Sequence, residues 1–141
     1  MFNPSRDQVR QFFFRAWAKH RARRPLLGLE SQAVDVMLLH PEYYELLDQP
    51  AESAGKEYPT ESGQMNPFLH LSLHLAIEEQ LAIDQPQGIR DEIRRLMTGG
   101  RDRHQALHVA LECLGEMVWQ SQQQGREPDA ASYLEQLRKS S

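Results

Sequence analysis

Residues 66–83, NPFLHLSLHLAIEEQLAI, constrain the fold more than any other stretch of this chain. Asn66 is a good cap for a first helical turn, and Pro67 suits the first helical position, where its missing N–H is no loss. The spacing then predicts a helix to about Ile83, with Leu69, Leu73, Ile77 and Leu81 on one side and Phe68, Leu71 and Leu75 on another. A helix apolar on two sides must lie among other helices. No segment reads as a convincing strand, so the fold class is all-α, a single-domain helical bundle.

The flanking sequence supplies the partners. A first helix is expected over about Arg6–Arg23, with Ser5 as N-cap and Pro25 as its stop. Its apolar stripe is Val9, Phe13, Ala16, Trp17 and His20, with most of its cations facing elsewhere. A second helix starts near Glu30 or Ser31 and turns Ala33, Val34, Met37 and Leu38 inward. His40-Pro41 kinks or restarts it, because the residue before a proline is pushed off helical angles; a turn or two follows from Glu42 to Leu47. Residues 49–65, polar and rich in Pro, Gly and Ser, read as a flexible loop.

A short helix over about Pro86–Met97 buries Ile89, Ile93 and Leu96, and Gly99-Gly100 breaks the chain. Asp102 with Gln105 resembles a capping box for a helix reaching about Gln123, with Leu107, Leu111, Leu114 and Val118 inward. Gly125 ends it, and Pro128 opens a last helix carrying Tyr133, Leu134 and Leu137. The expectation is about five to six helices in one domain over residues 1–141.

Composition agrees. A chain of 141 residues, 40% hydrophobic and 26% charged, suits one globular domain that buries about two-thirds of its unfolded surface. A single cysteine, Cys113, cannot close an internal disulfide. No apolar run reaches the length of a membrane span. Phe12-Phe13-Phe14 is cut by Arg15, so no signal peptide is read. A cytoplasmic protein without membrane contact is expected. The net charge of −4 is uneven: residues 1–24 hold seven basic groups against Asp7 alone, and the rest holds nine basic and nineteen acidic.

Two stretches carry the chemistry: His70-x3-His74-x3-Glu78 and His104-x3-His108-x3-Glu112. Residues four apart stack along one helix face. Chance spacing of six histidines gives about 0.25 His-x3-His pairs, yet two are present. Imidazole and carboxylate are ligands for zinc, iron or manganese. The candidate metal ligands are therefore His70, His74, His104, His108, Glu112 and Glu78. Antiparallel helices would make two clusters of two histidines and a glutamate; parallel helices would make a four-histidine layer beside a carboxylate pair. Neither has the Glu-x-x-His spacing of ferritin-like di-iron sites.

The bland reading competes. His–Glu pairs four apart are ordinary helix contacts, and buried histidines commonly hydrogen-bond to carboxylates. His40 before Pro41 can cap or ligate, but reads more simply as a turn residue. Glu116 is either a support for Glu112 or a solvated residue, and Cys113 reads as a small buried hydrophobe. No phosphate loop, nucleophile elbow or organic-cofactor motif appears, so no reaction and no catalytic residue is assigned.

His40-Pro41-Glu42-Tyr43, NPFLHLSLHLAIEEQ (66–80), Pro86-Gln87-Gly88-Ile89 and ECLGEMVWQ (112–120) together resemble a family of short bacterial proteins known as a domain of unknown function. The resemblance covers most of the chain and implies a bacterial cytoplasmic protein, with no activity, cofactor or partner attached. The family often has histidine at the position of Tyr44 and accepts basic residues at that of Glu78, which makes Glu112 the safer carboxylate.

Function at this level is a metal-binding bundle. The alternative is an interaction module whose basic N-terminal helix contacts an acidic protein partner or nucleic acid, with purely structural histidines. The anionic body argues against broad nucleic-acid affinity. Self-association is the remaining partner reading.

Overall fold

The computed structural model describes residues 6–53 and 66–140. The described residues form only helices and turns: α1 (Arg6–Arg21), α2 (Leu29–Leu38), a 3₁₀ turn (Pro41–Tyr43), α3 (Tyr44–Asp48), α4 (Pro50–Ser53), α5 (Pro67–Ile83), α6 (Ile89–Thr98), α7 (Arg103–Gln124) and α8 (Ala130–Lys139). The class is all-α as expected, but these are eight α-helices rather than five or six. The extra ones come from the proline-punctuated stretch after α2. Pro41 and Pro50 each stand at a helical start, where an absent N–H is harmless, so the chain restarts there. Residues 50–53 therefore leave the expected loop for α4. Ser5 and residues 54–65 lie outside the described residues.

The fold divides into two compact units, with the boundary after Leu75, inside α5. In the first unit α1 packs on α2. Phe13, Phe14, Ala16 and Trp17 of α1 meet Ala33, Val34, Val36 and Met37 of α2, Leu47 of α3, and Phe68, Leu71 and Leu75 of α5 in one core. Of the α1 stripe that the spacing predicts, Phe13, Ala16 and Trp17 are buried and Val9 and His20 half-buried, while Phe14 joins the core unexpectedly and so does Arg10, at 1% exposure. Its guanidinium lies over the Phe68 ring, 4.6 Å from the centroid, a contact that offsets part of a cation's burial cost. Trp17 Nε1–H donates to Asp48 at 2.7 Å, and Arg21 forks onto the same carboxylate at 3.0 Å through both Nε and Nη2. These bonds tie α1 to the end of α3.

Two inward expectations fail. Leu38 is 39% exposed and Leu69 48%. Each stands at the end of its helix, where a stripe that drifts about 40° per four residues has turned off the core. Leu73, Ile77, Phe68, Leu71 and Leu75 are buried as expected.

In the second unit Ile77, then Ile89, Ile93 and Leu96 of α6, Ala106, Leu107, Ala110, Leu111 and Leu114 of α7, and Tyr133 and Leu137 of α8 are buried. Tyr133 buries its ring and donates its hydroxyl to Gln80 at 2.9 Å; burial pushes its phenol far above the ordinary range. Asp102 and Gln105 form the expected capping box, with Gln105 N–H donating to Asp102 at 2.8 Å and Asp102 N–H to Gln105 at 3.0 Å. Gly125, at φ 63°, closes α7 in the left-handed region that glycine tolerates. The cap of α8 is Asp129 rather than Pro128, and α6 begins at Ile89, after Gly88 at φ 101°. Asp84 accepts the N–H groups of Gly88 and Arg90, which hold its carboxyl below the usual range. Among the described residues no helix is long and apolar enough to cross a membrane.

Candidate functional site

The site grows from the end of α2. Pro41 excludes helical angles at the residue before it, and His40 sits at φ −125°, ψ 71°. The helix closes with Leu39 N–H donating to Val36 O and His40 N–H to Met37 O. The His40 side chain, buried to 2% exposure, turns back so that Nδ1 lies 2.8 Å from the Val36 carbonyl oxygen. A carbonyl only accepts, so Nδ1 carries the proton and, in the neutral ring, Nε2 carries the lone pair. That is the arrangement in which ligating histidines are commonly held.

Helix α5 delivers the other two rings. Asn66 caps it as expected, accepting Phe68 N–H at 2.8 Å, and this start sets His70 and His74 one turn apart on one face. His40 Nε2 and His70 Nε2 are 3.0 Å apart. The His40 ring meets His70 at 4.7 Å and His74 at 5.1 Å between centroids, both nearly perpendicular. His74 has 0% exposure, and His70 is half-buried. One ring nitrogen from each of the three lies within 4.8 Å of the others.

The coordination geometry of a metal can be set against those distances. With metal–nitrogen bonds of about 2.05 Å, two ligand nitrogens stand about 3.3 Å apart in a tetrahedron and about 2.9 Å apart in an octahedron. The His40–His70 pair already meets the octahedral spacing, and the widest separation permitted here closes by about 1.5 Å of ring movement. Tyr43 completes the wall: its ring stacks on His40 at 5.5 Å and 10°. Burial, with the charge of Glu42 adding to it, raises the Tyr43 phenol above its ordinary range.

Of the six ligands read from sequence, His70 and His74 are thus brought together in the first unit, and the third ring beside them is His40. Sequence spacing undervalued His40 because it stands 30 residues from His70. The Pro41 that ejects it from the helix was the available signal. In the second unit His104 and His108 lie one against the other, ring centroids 4.0 Å apart. Glu78 is engaged by Arg103, whose guanidinium forks onto it at 2.7 and 3.0 Å; the carboxylate in turn raises the Arg103 pKa. Glu112 is exposed, and Glu116 accepts from Gln120 at 3.0 Å. Cys113 is half-buried, and burial pushes its thiol up.

The basic segment is partly consumed within its own unit. Arg10 is buried, Lys19 pairs with Glu30 at 2.8 Å, and Arg21 holds Asp48. Lys19 is also the main cause of the lowered Glu30 pKa. Arg15, Arg23 and Arg24 remain exposed. The second unit also has a cleft of about 580 Å³ between the end of α7 and the start of α8, lined by Gln120, Ser121, Gln124, Ser132 and Tyr133 among others. Arg126, Glu127 and Asp129 add charge to this lining of amides and hydroxyls.

A family model described as a domain of unknown function, DUF1841, matches residues 5–139, and the chain belongs to that family. No curated protein and no solved structure matches the chain.

Proposed function

We propose that this chain binds one transition-metal ion in its first unit, with His40, His70 and His74 as ligands. The observation that carries the reading is the approach of three imidazole nitrogens to within 4.8 Å of one another, with His40 oriented through its Nδ1–H by the Val36 carbonyl. Imidazoles crowded this way repel through facing lone pairs or share protons, and a divalent ion relieves both. An all-nitrogen donor set suits zinc or iron; manganese prefers oxygen donors and ranks below them. His104 and His108 keep the candidacy their spacing gives them. Glu78 and Glu112 rank lower, the first for its arginine partner and the second for its exposure.

Metal analysis of untagged protein tests this. After reconstitution with zinc or iron(II) and removal of excess, the protein should retain about one equivalent. His40→Ala and His70→Ala should each lower affinity by ten-fold or more while circular dichroism shows retained helix. A His104→Ala/His108→Ala variant measured beside them asks separately whether the α7 pair contributes. Well-folded wild-type protein that retains only traces of any metal removes the proposal.

The alternative, α1 as a contact for an acidic partner, keeps three exposed arginines, Arg15, Arg23 and Arg24. With Arg10, Lys19 and Arg21 occupied internally, it is the weaker reading.

A further inference from the structure

We propose that the cleft where α7 meets α8 binds a small zwitterion, an α-amino acid or a dipeptide, with the ligand's carboxylate on Arg126 and its ammonium on Glu127. The site lies wholly in the second unit and needs no metal. Met117, Ser121 and Gln124 of α7 fall three to four residues apart, so they share one helix face and form one wall. Ser132 and Gln136, one turn apart on α8, belong to the other, and the two helices pack on each other. At about 580 Å³ the cleft has the size of a small-molecule site.

The loop between the helices is fixed at both ends, while its charged side chains stay uncommitted. Arg126 is tied to Ser121 twice: its N–H donates to the Ser121 carbonyl at 3.1 Å, and its own carbonyl accepts the Ser121 hydroxyl. At the other end Asp129 accepts the Ser132 hydroxyl and the N–H groups of Ser132 and Ala131, which hold its carboxyl below the usual range. Among the described residues the Arg126 guanidinium and the Glu127 carboxylate have no hydrogen-bond or ion-pair partner, nor have the side-chain amides of Gln124 and Gln136. A loop backbone set in advance lowers the ordering cost of binding.

Charge selects the ligand. One guanidinium stands beside two carboxylates, and Asp129 is already balanced by the start of α8. Neither a lone anion nor a lone cation satisfies the remaining pair; a molecule with one charge of each sign does. A guanidinium takes a carboxylate through two parallel bonds, and the free primary amides offer a donor and an acceptor each to the rest of the ligand. Tyr133, the aromatic residue of the lining, is 1% exposed, so the cleft presents no stacking face to a sugar or a base. Arg126 and Glu127 are both exposed, which screens each charge and sets a modest affinity, a dissociation constant on the order of 1 mM or tighter.

Magnetic resonance of the isotope-labelled full chain tests this, following the amides of the cleft, those of the Gln124 and Gln136 side chains included. L-glutamine and L-alanyl-L-glutamine are titrated at neutral pH and constant ionic strength. Saturable shifts centred on the cleft are expected with at least one of them. A response to glutamine alone marks an amino-acid site; a response to the dipeptide alone marks one that spans the two ends of a peptide. The N-acetyl form of the responding probe, without its ammonium, and the C-terminal amide form, without its carboxylate, should each bind about ten-fold more weakly or worse. Glu127→Gln should weaken the uncapped probe about ten-fold and leave the N-acetyl form unaffected; Arg126→Gln should do the same with respect to the amide form. Both substitutions sit on the exposed loop, and the same spectra report whether the fold is kept. No saturable shift with either zwitterion up to about 20 mM overturns the inference. Equal affinity for capped and uncapped probes, or for wild type and both variants, overturns it as well.

Discussion

Metal should stabilise the first unit by an amount set by the distance along the chain between its ligands. His40 and His70 are 30 residues apart in sequence. In the unfolded chain, bringing two such points to one ion costs about 3.6 kcal/mol of loop-closure entropy, taking the covalent cross-link as the model. The folded chain has already closed that loop, so its affinity exceeds that of the unfolded chain by about that free energy, and saturating metal should add about 3.6 kcal/mol to stability. With a urea dependence of about 2 kcal/mol per molar, the midpoint moves up by roughly 1.8 M. In His40→Ala the surviving donors, His70 and His74, are one helical turn apart and readily meet in a frayed helix. Little loop closure then separates the two states, and the shift should shrink to below about 0.5 M. Trp17 is 1% exposed in the core of this unit, whereas Trp119 is 56% exposed, so tryptophan emission in a urea titration with and without zinc reports mainly on Trp17. Equal shifts in wild type and His40→Ala, or no shift when equilibrium dialysis shows bound zinc, would refute the reasoning.

Three further outcomes follow from the packing and caps. Leu71→Ala, at a fully buried position, should cost about 2–5 kcal/mol, whereas Leu69→Ala, two residues away and half-exposed, should cost under about 1 kcal/mol; similar urea midpoints for the pair would contradict the assigned faces of α5. Asp102→Ala removes the cap of α7 and should cost about 1 kcal/mol, read by thermal melting, and an unchanged melting temperature would reject the capping box. The carboxyls of Asp48, Asp84 and Asp129 are all held below the ordinary aspartate range, by Arg21 and Trp17, by backbone N–H groups, and by Ser132 respectively. Their folded values lie below the unfolded one, so their contribution is fully present above about pH 4 and lost as pH falls through the folded values. Urea midpoints should therefore decline between roughly pH 4 and pH 2, and a flat profile there would count against these three bonds.

The helices were legible where a local device marks them. Asn66-Pro67, Asp102 with Gln105, and Gly125 each act within one turn of themselves, and all three do as their chemistry dictates. The run Leu69-x-Leu71-x-Leu73-x-Leu75 alternates like a strand as well as repeating like a helix, and the Asn-Pro start favours the helix. Which of those leucines is left outside was not legible, because a helix apolar on two sides does not say where the core ends. Arg10 shows the same limit: its cation reads as a surface group until an aromatic face from α5 arrives over it. Of the candidate site, the spacing of His70 and His74 was visible because one helix fixes it. Their neighbour His40 was not, since it comes from a turn whose position relative to α5 depends on tertiary packing.

The bond between His40 and Val36 has an electrical consequence. A helix gathers about half a negative charge at its C-terminal end, and the last turn of α2 touches the His40 ring through a single N–H donated to its carbonyl. A cation arriving at Nε2 would polarise that ring and tighten the bond, so the last turn of α2 would act as a fixed partial counter-charge.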